Sequence, residues 1–96
     1  MYARITRMKV AADRLDDVKA QLGDVKGSVS GIPGLKYWFS ASDEASGEGI
    51  AIAIYDSKGS ADAAAGAARD LVASFGHLFS SPPEVAKFEV DEFIVN

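Results

Sequence analysis

The chain has 96 residues, with 14 acidic and 10 basic side chains and a formal net charge of −4. This length points to one compact domain over residues 1–96 with a modest core, and the acidic balance argues against nucleic acid, which needs a basic face. Absence of cysteine excludes disulfides and thiol nucleophiles; with no signal-like or membrane-length apolar run, the expectation is a cytoplasmic protein starting at Met1.

Residues 2–9 read as a first strand, with Arg4 and Arg7 on opposite faces. Residues 13–30 read as a helix, because Leu15, Val18, Leu22, Val25 and Val29 recur at spacings of three and four. Asp13, Asp16 and Asp17 fall in or beside its first turn, where the helix dipole favours negative charge. Gly23 and Gly27 weaken it by about 1 kcal/mol each relative to alanine. Their small size is read as close packing or a loosened last turn, with room for a ligand as the alternative. Ser30-Gly31-Ile32-Pro33-Gly34 ends the helix and turns the chain.

A second strand spans 35–42. Its alternation places Leu35, Tyr37 and Phe39 on one face and Lys36, Trp38 and Ser40 on the other, and the more apolar first set is expected to face the helices. After a polar hairpin connection over 43–49, a third strand spans 48–55 and is apolar on both faces, with Ile50, Ile52 and Ile54 opposite Ala51, Ala53 and Tyr55. Such a strand is covered on both sides, and a second subunit is the simplest second cover.

Residues 58–79 read as a second helix whose stripe runs from Ala61, Ala64, Ala65 and Ala68 to Leu71, Val72, Phe75, Leu78 and Phe79. This wedge either lies close to the sheet at its small end or leaves a space there. A last strand is expected over 85–95, with a change of phase at Asp91-Glu92 that signals a bulge or an end crossing to a partner. The order is strand, helix, strand, strand, helix, strand. The expected fold is therefore α+β and ferredoxin-like, a βαββαβ chain with a four-stranded antiparallel sheet and both helices on one face.

Few residues stand out as chemically active. His77, the single histidine, falls about 180° from the apolar stripe and, unless Gly76 breaks the helix first, is expected to face solvent or a subunit rim. Trp38, on the face turned away from Tyr37 and Phe39, is expected to anchor a subunit interface, with a pocket wall as the lesser alternative. Tyr37, Phe39, Phe75 and Phe79 either line a space between sheet and helices or simply form core. One of Arg4 and Arg7 is a buried clamp for a carboxylate or phenolate, or else both are surface charges. No clustered ligands at metal spacing and no phosphate-binding or dinucleotide motif occur in the sequence.

Three segments resemble the antibiotic-biosynthesis monooxygenase (ABM) family: Met1-Tyr2-Ala3-Arg4-Ile5-Thr6-Arg7, Ile32-Pro33-Gly34-Leu35, and Ser81-Pro82-Pro83-Glu84-Val85 leading into Phe88-Glu89-Val90. The resemblance implies a dimeric α+β barrel, in which two sheets face each other with the helices outside. It implies a cofactor-independent monooxygenase, using neither metal nor flavin, acting on a small hydrophobic phenol or quinol. The ligand would be lined by Tyr37, Phe39, Phe75 and Phe79, with Arg4 opposite its anionic oxygen. The alternative is a non-catalytic, small-ligand-binding or stress-related dimeric module. Haem degradation, the other chemistry of the family, relies on an Asn, a Trp and a His; the only Asn here is Asn96.

Overall fold

The computed structural model describes the backbone of residues 1–96 and every side chain except that of Ala12. Strands β1 (Tyr2–Lys9), β2 (Leu35–Ser42), β3 (Glu48–Tyr55) and β4 (Glu84–Glu89) form one sheet in the order β2-β3-β1-β4. Every neighbouring pair is antiparallel. The helical segments pack on one face of it, as the order of hydrophobic rhythms requires.

Each expected long helix is divided. The first becomes a 3-10 turn (Ala12–Arg14), α1 (Leu15–Leu22) and α2 (Val25–Ser30). The break falls at Gly23-Asp24, where the hydrogen bonds tighten to Gly23 N–Ala20 O and Asp24 N–Gln21 O. Glycine and aspartate are both poor helix-interior residues, and the tight turn closes the gap between the halves. The second becomes α3 (Lys58–Ala63), α4 (Ala65–Ala73) and a 3-10 turn (Gly76–Leu78). Ser57 caps α3, its side chain accepting from Ser60 N.

The expected face of β2 is reversed. A bulge between Leu35 and Tyr37 makes Leu35 pair with Tyr55 and Tyr37 with Ile54, so β2 spends one extra residue against β3. Leu35 and Trp38 therefore both pack toward the helices. Tyr37 and Phe39 turn to the open face, where they remain 46% and 49% exposed.

The last strand is shorter than expected and ends at Glu89. The final ladder-like bond is Val90 N to Met1 O, at the first residue of the chain. Residues 91–96 leave the ladder, and Phe93 comes to rest on Tyr37, ring centroids 4.6 Å apart. Since β4 and β2 are opposite edges of the sheet, this tail crosses its open face.

Two clusters form the core between sheet and helices. One joins Tyr55, Ala53, Ala61 and Ala64, the other Val25, Phe75 and Leu78, and Trp38 packs against both. The alanine end of the wedge lies close to the sheet, accommodating the Tyr55 ring. Two glycines are required by geometry. Gly47 has φ of 73°, and a Cβ there would collide with Val10 O; Gly34 has φ of 79° and would meet Ser60 at 2.5 Å. Among the described residues, no helix is long and apolar enough to cross a membrane.

Candidate functional site

Between the two core clusters lies a cavity of about 330 Å³. Its floor is the helix-facing side of the sheet. Register sets the rows: Ala53 lies between Arg4 and Trp38, and Ala51 between Thr6 and Ser40. With strands about 4.8 Å apart, β1 and β2 flank that floor at a separation of about 9–10 Å. Two alanines there leave the middle low while Arg4 and Trp38 rise on either side. Leu22, Val29, Ala68, Leu71 and Phe75 close it from the helices. The smallness of Ala51, Ala53 and Ala68 is thus what makes room.

Arg4 is the unusual member. It is only 8% exposed, its Nε is buried without a hydrogen-bond partner, and among the described residues no ion pair reaches its guanidinium. Arginine does not deprotonate in proteins, so the charge stays in place. An uncompensated buried charge is destabilising by several kcal/mol.

Tyr55 lies nearby, 1% exposed. Burial pushes its phenol above the usual tyrosine range, and the Arg4 charge opposes that shift without reversing it. The phenol is therefore neutral at pH 7 and supplies no counter-charge.

The other charged lining residue is Lys19 of α1, and it already has a partner. Its Nζ donates to Glu44 Oε1 at 2.8 Å, which joins α1 to the β2–β3 hairpin. The hydrogen bond from the ammonium, then its charge, holds the Glu44 carboxyl below its ordinary value. No Asp, Glu or His lines the cavity, and among the described residues no acidic or histidine cluster is arranged to hold a metal.

Of the residues expected to surround a ligand, Arg4, Phe75 and Phe79 line this cavity. Tyr37 and Phe39 do not, because the β2 bulge turns them to the opposite face. Trp38, expected at a subunit interface, is instead a cavity wall for the same reason. His77 is exposed on the 3-10 turn and absent from the lining. Sequence reasoning missed Tyr55 and the alanine floor. Their signal was the alternation of small residues with Tyr55 on β3, facing an alanine-rich helix that needs a large side chain to fill the gap.

No protein-family model matches the chain, and no curated protein does. Solved structures do match. A protein of unknown function from Nitrosomonas europaea superimposes with a TM-score of 0.81 at 18% identity, over 99% of this chain and 93% of that one. A monooxygenase from the gene ActVA-Orf6 of Streptomyces coelicolor, in complex with the ligand nanaomycin D, gives 0.77 at 16% identity, over 99% and 91%. The haem degrader MhuD from Mycobacterium tuberculosis, with two haems bound in its active site, gives 0.77 at 13% identity, over 99% and 100%. The chain has the ferredoxin-like fold shared by the antibiotic-biosynthesis monooxygenases.

Proposed function

We propose that this protein takes a small hydrophobic aromatic molecule into the cavity between sheet and helices, and acts on it as a cofactor-independent, monooxygenase-like enzyme. The observation that carries this reading is the buried, unpartnered Arg4 in an otherwise apolar chamber. A cation there favours the ionised form of a phenol or quinol, the electron-rich form that reacts with oxygen directly. Phe75, Phe79, Trp38 and the alanine floor would hold the ring. The volume is near the lower end of the ~300–1,000 Å³ usual for ligand pockets, which suits a compact ligand.

The test is oxygen uptake, followed with an electrode across a panel of hydroquinones and naphthols. Uptake that saturates with one substrate and falls at least about tenfold in Arg4→Gln supports the reading. No uptake across the panel overturns the enzymatic part of it.

One observation favours a second reading. No Asp, Glu or His lines the cavity, so no side chain there is poised to accept a phenol proton at pH 7. A non-catalytic ligand-binding module would bind a member of the same panel saturably and form no product. Haem degradation is less well supported. Trp38 lines the cavity, but His77 is exposed and Asn96 lies at the exposed chain end.

We further propose a homodimer formed through the open face of the sheet. Tyr37, Phe39 and Phe88 are exposed there, and Phe93 lies over the same face against Tyr37. Four strands of this length present roughly 500 Å² of sheet. With the tail added, this approaches the ~800 Å² per partner of a standard interface. Native mass spectrometry should record a dimer that Phe39→Asp with Phe88→Asp converts to monomer. A monomeric native protein would refute the proposal.

A further inference from the structure

The cavity's charge pattern specifies more than an aromatic ligand. The protein as a whole is acidic, yet the charged residues lining this chamber are two cations, Arg4 and Lys19. Lys19 is satisfied by Glu44 at the surface. Arg4 Nε is buried with no hydrogen-bond partner, and no ion pair reaches the guanidinium among the described residues. The fold has therefore buried one permanent positive charge in an apolar chamber, and a single anionic group on the ligand would complete it.

We propose that this group is a carboxylate, received by the Arg4 guanidinium, so that the ligand is an aromatic carboxylate of about two fused rings. The inference rests on the cavity being the ligand site, as read above, and departs from that reading in one respect: Arg4 meets a carboxylate already present on the ligand and not a phenolate formed in the cavity. Three arguments select the carboxylate.

The first concerns protons. A phenol with a pKa near 10 is only about one part in a thousand ionised at pH 7, whereas a carboxylic acid with a pKa near 4 is ionised already. No side chain in the cavity is placed to remove a phenol proton, since Asp, Glu and His are all missing from the lining. A ligand that arrives charged needs no such base.

The second concerns shape. A guanidinium presents parallel N–H donors in a planar fork, which matches the two oxygens of a carboxylate and gives one phenolate oxygen less to bind. One guanidinium also suits one negative charge; a phosphate group carries more, and the second cation of the lining, Lys19, is already held by Glu44.

The third concerns size. The chamber of about 330 Å³ is roughly twice the ~150 Å³ apolar cavity known to accept benzene. The rest of the ligand is mainly apolar, because beyond Arg4, Lys19, Thr6, Ser40, Ser42 and the Tyr55 hydroxyl the lining is hydrocarbon or aromatic. The floor of Ala51 and Ala53, with Arg4 on one side and Trp38 on the other, accepts a flat ring system whose carboxylate points toward β1.

The experiment is calorimetric titration of the intact protein with 2-naphthoate, 2-naphthol and naphthalene, at several pH values. The protein's own cavity groups are silent between pH 6 and 9. Burial raises Tyr55 and the Glu44 hydrogen bond raises Lys19, both from ordinary values of 10 or more. Any pH dependence in that window thus reports the ligand.

The expected result is 2-naphthoate binding at least about tenfold tighter than either other compound, with affinity flat from pH 6 to 9. Arg4→Gln should lower naphthoate affinity by at least about tenfold and shift naphthol by less than about threefold. Arg4→Lys, which keeps the charge and loses the fork, should fall between. Naphthol binding as tightly as naphthoate, or climbing in affinity with pH, would overturn the carboxylate and leave the cavity reading intact. Equal binding of all three compounds, unchanged by Arg4→Gln, would overturn it as well. If none of the three binds to protein whose circular dichroism shows it folded, the ligand-site reading fails and this inference fails with it.

Discussion

Replacing Arg4 by methionine should make the ligand-free protein more stable. Arg4 is 8% exposed and has no ion pair among the described residues, so folding removes its charge from water with little return. The effective penalty for a buried ion is several kcal/mol, and replacing buried ionic groups by well-packed apolar ones of similar size gains about 1–4 kcal/mol. Methionine keeps a flexible apolar stem of similar reach beside Trp38 and Tyr55 and discards the guanidinium. Some packing is lost with the planar head, which trims the expected gain to about 1–3 kcal/mol. For a domain of this size each kcal/mol shifts Tm by about 4–8 °C. Urea unfolding of both proteins, refolded from denaturant to remove any ligand and compared at one concentration, gives the difference directly. If Arg4→Met were less stable than the native protein by 1 kcal/mol or more, Arg4 would be a satisfied structural residue, and the argument for a ligand anion would lose its foundation. A gain means that stability has been given up to keep a charge in the chamber, the pattern expected of a binding residue.

Three further outcomes are expected. Gly47→Ala should destabilise the protein by at least about 1–2 kcal/mol in the same urea assay, because the residue has positive φ and a Cβ would collide with Val10 O; an unchanged midpoint would contradict the tight Val10–Gly47 approach. Tyr55 has its folded pKa raised by burial, so its neutral form is favoured in the fold, and stability should decline as pH rises from the unfolded value near 10 toward the folded one. Tyr55→Phe should flatten that decline between pH 9 and 11, and identical pH profiles for the two proteins would refute the assignment. His77→Ala should leave ligand affinity and any oxygen uptake within about twofold of native, since an exposed side chain outside the cavity acts on neither; a collapse of either would return His77 to the site.

The open face and the tail show where local patterning and tertiary pairing part. The alternation of Ile50, Ile52 and Ile54 with Ala51, Ala53 and Tyr55 already requires cover on both sides of β3, and the structure puts the helices on the Ala–Tyr side. Residues 85–95 read as one strand with a change of phase at Asp91-Glu92, and the paired strand ends at Glu89, just before that change. The ladder runs from Arg7–Glu84 to Tyr2–Glu89 and stops there. Helix breaks were half visible: Gly23 marked a weak point, while the kink at Ala64 had no counterpart in the stripe of small residues.

What the sequence by itself determined is the order and type of elements, the single-sided helix layer and the outward direction of His77. These depend on periodicity along one segment, and a period of 2 or 3.6 is a local quantity. Only the tertiary structure decided which side chains share the chamber. The bulge at β2 inserts one residue between Leu35 and Tyr37, exchanging Trp38 for Tyr37 and Phe39 on the helix side. Likewise, Arg4 and Arg7 look equivalent in the β1 sequence, opposite faces of the same strand. Pairing Arg4 with Ala53, beneath the helices, buries one guanidinium and leaves the other exposed. A shift of one residue reverses every face of a strand, and no pattern within the strand reports whether its neighbour has made that shift.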